Sequence, residues 1–129
     1  MTAAGFRRIA LGLEDTVEQA HHSHPDFRVG GRIFATLGYP DKKWGMVVLT
    51  PDQQRSFVRD YPGVFVAAAG AWGAQGSTTV RLADIGEDVL GEALTLARRN
   101  AVEKGPTRPA RGRRAVTTAA RTTSRSRKK

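Results

Sequence analysis

Nine cations, Arg108, Arg111, Arg113, Arg114, Arg121, Arg125, Arg127, Lys128 and Lys129, lie within residues 105–129, and no Asp or Glu falls among them. Cations spaced along a flexible segment settle on phosphates without a fixed geometry and release condensed counterions, the sequence-independent part of nucleic-acid binding. Seven of the nine are arginine, whose planar fork grips a phosphate through two parallel hydrogen bonds. The other reading of such a segment is a solubility or targeting tail. Before it, the chain balances 12 Lys or Arg against 12 Asp or Glu, so the whole net charge of +9 belongs to the terminal segment. Body cations also sit at turns: Arg28 and Arg32 on either side of Gly30-Gly31, and Lys42 and Lys43 at the next turn. A hairpin tip bearing Arg28 and Arg32 would act as a wing on a phosphate backbone. The competing reading is ordinary exposed turn residues on a neutral body.

Other candidate residues point to weaker chemistry. On a continuing strand, His22 and His24 share a face and His21 points away. A metal site needs three or four ligands and the chain has no cysteine, so no metal is expected and His24 is read as a turn or pocket residue. Trp72 would stack on a base or close the end of the core. The glycines Gly70, Gly73 and Gly76 lead into a strand, whereas a dinucleotide fingerprint leads into a helix, so no nucleotide cofactor is expected. No phosphate-binding loop, nucleophile elbow or zinc-protease motif is present, and no catalytic residue is assigned.

The elements that must position these residues follow from spacing. Phe6, Ile9, Ala10 and Leu13 stack on one face of a helix over 3–13. Runs 16–22, 27–29, 32–37 and 44–49 read as strands between turn residues. Gly30-Gly31 tolerates the positive φ of a two-residue hairpin and sets Phe27 opposite Phe34. Thr50, Pro51 and Gln53 start a helix that stops near Tyr61. Residues 70–76 read as a loop and 77–83 as a strand. Asp84 with Glu87 is expected to cap a last helix, along which Leu90, Ala93, Leu94, Ala97 and Ala101 keep the helical period. The expected class is α+β, an antiparallel sheet with helices on one face in the order α-β-β-β-β-α-β-α, over residues 1–104. Residues 105–129 hold one larger aliphatic side chain, Val116, and are expected to stay disordered.

No stretch approaches the ~18 apolar residues of a membrane span, and the run 6–13 is broken by Arg7 and Arg8, unlike a secretory leader. A cytoplasmic monomer is expected, associated with the nucleoid if bacterial.

The stretch His24-Pro25-Asp26-Phe27-Arg28-Val29-Gly30-Gly31-Arg32-Ile33-Phe34-Ala35, the segment Gly70-Ala71-Trp72-Gly73-Ala74-Gln75-Gly76 and the strand Thr79-Val80-Arg81-Leu82 together resemble the MmcQ/YjbR family over residues 6–104. The resemblance implies an α+β sandwich similar in topology to the bacterial frataxin homologue, and a DNA-binding role. Ser77 stands where many members carry an aromatic residue. Glu14, Asp15 and Glu18 poorly represent the frataxin-type acidic helix, so iron delivery is not implied. The function expected is non-enzymatic DNA binding through the cationic segment, with RNA as a further partner. The alternative is a small-molecule or protein-binding domain with a pocket near Trp72 and His24.

Overall fold

The computed structural model describes residues 1–21, 23–39 and 41–105. His22, Pro40 and the nine cations of the terminal segment lie outside the described residues, as does the expectation of disorder there.

Thr2 caps the first helix, α1 (Ala3–Leu11), its hydroxyl accepting from the Gly5 N–H and satisfying one open amide of the first turn. The apolar stripe then turns Phe6 and Ala10 into the core. Next come three antiparallel hairpin strands, β1 (Val17–His21), β2 (His24–Val29) and β3 (Arg32–Leu37), followed by β4 (Trp44–Val48). Gly30 and Gly31 both hold positive φ, 60° and 80°, as the expected two-residue hairpin requires. The register beyond that turn departs from expectation. Arg28 pairs with Ile33 but Phe27 pairs with Ala35, which leaves Phe34 as a bulge residue. A bulge breaks the strict alternation of a strand, and so Phe34 and Ala35 are both fully buried in the core.

A capping box starts α2 (Pro51–Asp60): the Thr50 hydroxyl accepts from the Gln53 N–H, and the Gln53 side chain accepts from the Thr50 N–H. The chain then forms a strand absent from the expected order, β5 (Phe65–Ala67), and a short helix, α3 (Gly70–Ala74), where a loop was expected. Val66 and Ala67 of β5 are exposed, so the alternation that marks a half-buried strand is missing there. After β6 (Ser77–Arg81) the chain turns once as a 3₁₀ helix through Leu82–Asp84, which ends the strand two residues early. The last helix, α4 (Glu87–Lys104), begins at Gly86 with no side-chain cap, so Asp84 does not cap it. Its expected apolar face holds: Leu90, Ala93, Leu94, Ala97 and Ala101 are all buried.

The fold is thus α+β, with one antiparallel sheet in the order β1-β2-β3-β4-β6-β5. Side chains of α1, α2 and α4 share a single apolar core with Phe27, Ala35, Leu37, Val47 and Val80 of the sheet. Among the described residues, no helix is long and apolar enough to cross a membrane.

Candidate functional site

Strand pairing places directly opposed residues on the same face of a sheet. Phe27, Ala35 and Val47 form one such row, and it faces the helices. The neighbouring row must face the other way: Gln19, Asp26, Thr36, Met46, Thr79 and Val66 stand in register across β1, β2, β3, β4, β6 and β5. Met46 is buried yet stands outside the helix-side core cluster. The face away from the helices therefore carries its own sheltered, partly polar layer.

Asp26 is its most constrained member, with no exposed surface. Arg28 Nε donates to Asp26 Oδ1 at 2.7 Å and Arg28 Nη2 to Oδ2 at 3.1 Å, while His21 Nδ1 lies 2.7 Å from Oδ2. The Arg28 guanidinium holds the Asp26 carboxyl below the usual carboxylate range; burial opposes this, and the His21 contact adds to it. The same hydrogen bond holds the Arg28 proton more tightly than usual.

A cleft of about 470 Å³ opens above this layer, lined by His21, His24, Thr36, Tyr39, Met46, Ala68, Ala69 and Trp72. The structure thus brings Trp72 and His24 together, on the face away from α1 and α4. His24 packs edge-on to Tyr39 and to His21, with ring centroids at 6.2 and 6.5 Å. The expectation that His21 points away from His24 is corrected: they are directly paired. The chain reverses at Ser23, with φ 68°, and a strand that turns back places its end residues face to face. Trp72 stands out from α3 with 68% of its surface exposed, so it does not close the core.

The glycine spacing that surrounds Trp72 has a packing cause. A Cβ on Gly73 would sit 1.7 Å from the Ala68 carbonyl oxygen, and one on Gly76 would sit 1.8 Å from that of Leu49. Gln54 of α2 anchors the same segment, its amide nitrogen 3.0 Å from the carbonyl oxygens of Gly73 and Ser77. These close approaches hold the backbone of α3 against the sheet edge.

The turn cations are dispersed. Arg28 is bound to Asp26, whereas Arg32 lies on the opposite face and donates from Nε to the Gly105 carbonyl at 3.1 Å, tying down the end of α4. Lys42 and Lys43 are exposed at their turn, and the Lys43 N–H donates to Asp41. Elsewhere Arg7 pairs with Glu18, Arg55 with Asp52, Arg59 with Asp60 and Arg81 with Asp84. Among the described residues, no three His, Asp or Glu side chains gather as a metal would require.

Sequence reasoning singled out Trp72 and His24 but passed over Asp26, Thr36 and Tyr39. The signal for Asp26 was an acid two residues before Arg28 on one strand face; Thr36 and Tyr39 carried none.

Residues 11–100 match the family model described as YjbR. A crystal structure of the Deinococcus radiodurans protein DR2400, described with domain DUF419, is similar in fold, with a TM-score of 0.69 at 19% identity over 82% of each chain. No curated protein matches the chain.

Proposed function

This chain belongs to the YjbR family, and from that premise we propose that it is a non-enzymatic, DNA-binding protein whose polyanion-binding element is the segment 105–129. The observation that carries the reading is the segregation of charge. All nine excess cations sit in that segment, while the body balances its charges and engages most of its arginines with acids or carbonyls. A cation already bound to a carboxylate has less to gain from a phosphate, since it must give up one partner for the other. The folded body therefore serves mainly to carry the segment. RNA offers the same phosphates and is bound by the same element.

The test is the salt dependence of binding to duplex DNA. Full engagement of nine cations gives a slope of log K against log salt near −8, at about −0.9 per cation, and partial engagement several units less. A chain ending at Gly105 should lose the slope and nearly all affinity. Binding that survives truncation and falls when Arg28 and Arg32 become alanine would transfer the role to the hairpin. Absence of binding by the full chain near physiological salt would end the proposal.

A further inference from the structure

We propose that the cleft between the sheet and α3 binds a small planar heteroaromatic molecule of nucleoside size, stacked on Trp72 and hydrogen-bonded to the Thr36 hydroxyl. The first observation is Thr36 itself. It is only 2% exposed and lines the cleft, and its Oγ1 has no hydrogen-bond partner among the described residues. Buried hydroxyls nearly always find a partner, because leaving one unpaired costs stability. Thr16 is the other described residue with such a hydroxyl, but it does not line the cleft. The hydroxyl is buried in the wall of the cleft, and a ligand seated against Thr36 that reaches it would complete the missing hydrogen bond.

The second observation is the wall. Trp72 is 68% exposed and Tyr39 40% exposed, and both line the same cleft above Met46. An indole held out from a helix whose backbone packs closely at Gly73 is a stacking surface open to a planar ligand. The cleft's volume of about 470 Å³ suits one ring system. The lining fits an uncharged ligand, because it contains no Lys, Arg, Asp or Glu, and the Asp26 carboxylate that contacts His21 is matched by Arg28. A planar ring with a hydrogen-bonding edge satisfies each of these features. That chemistry has two sources, a free nucleoside or an unpaired base in a strand.

The site does not rest on the cationic segment, and uncharged nucleosides separate the two. The 129-residue chain holds two tryptophans, Trp44 and Trp72, so its indole N–H resonances report the cleft and an internal control. Trp44 pairs with Arg81 on β6 and does not line the cleft. Titration with adenosine and guanosine should move the Trp72 resonance saturably and leave that of Trp44 in place. A short single-stranded oligonucleotide in high salt forms the second arm. Response to it alone identifies a strand base as the source; response to nucleosides identifies a free ligand. In either arm Thr36→Val should weaken binding by about tenfold, the worth of one hydrogen bond, while keeping or raising the melting temperature. Trp72→Ala, read by equilibrium dialysis of the same nucleosides and oligonucleotide, should abolish binding without unfolding an exposed position, as circular dichroism would check. No Trp72 response in either arm, or a response that Thr36→Val leaves unchanged, would overturn the proposal.

Discussion

Asp26 shows how one residue joins local chemistry to stability. Its carboxylate is fully buried, and it is held ionised by the two Arg28 hydrogen bonds. A carboxyl with a depressed folded pKa contributes stability above the unfolded value of about 4, and loses it as pH falls through the folded value. Asp26→Asn should therefore destabilise the protein by about 2–4 kcal/mol at pH 7, since it leaves the half-buried Arg28 without its anion. Urea unfolding of both proteins should show this gap narrowing below about pH 4. An equal gap at pH 3 and pH 7 would mean that shape at position 26 matters more than charge. The stretch His24 to Ala35 shows an acid two residues before Arg28 on one strand face, but not that this acid is fully buried. Its role depends on the pairing that sets His21 and Arg28 on the same face.

Elements respond to substitution according to what their glycines permit. Gly30 is exposed at the hairpin tip, and its cost on substitution is conformational: φ is 60°, a region that a β-branched residue resists. Gly30→Val should cost about 1–2 kcal/mol. Gly76 combines a φ of 115° with a Cβ position 1.8 Å from the Leu49 oxygen, so substitution must displace backbone. Gly76→Ala should cost about 3 kcal/mol or more and should loosen α3 along with it. Thermal melts rank the two, and a milder effect at Gly76 than at Gly30 would show that the β4–α2 junction yields easily. Helices α1 and α4 were legible from an apolar period that agrees with burial, and α2 from its capping box, although the cap expected at Asp84 is not made. The short β5 and α3 were not, because three and five residues carry too little periodicity to outweigh a Gly- and Ala-rich composition.

At the scale of the molecule, the buried apolar cluster among the described residues runs from Phe6 to Ala101, with Met1 packed against it. The last described contact is the Arg32 hydrogen bond to Gly105. A chain ending after Gly105 should keep its melting temperature within about two degrees, because residues 106–129 bring almost no apolar surface to bury. A larger drop would reveal docking of the segment on the body. This measurement is independent of DNA binding, so the truncated chain can be shown intact before its loss of affinity is interpreted.

Composition and spacing alone determined the charge asymmetry, the absence of cysteine chemistry, the α+β class, the capping box at Thr50 and the buried stripe of α4. Each follows from residue counts along the chain or from residue types within a few turns of it. Tertiary structure decided the rest. Arg28 and Arg32 look like paired cations beside one turn, yet they occupy opposite faces and answer to different partners. Thr36 and Trp72 are distant in sequence and meet because β3, β4 and β6 align and Gly73 lets α3 lie close. Strand register and bulges are set by how the whole core fills, and a shift of one residue exchanges the faces of a strand. Which side chains share the cleft is therefore a property of the assembled sheet.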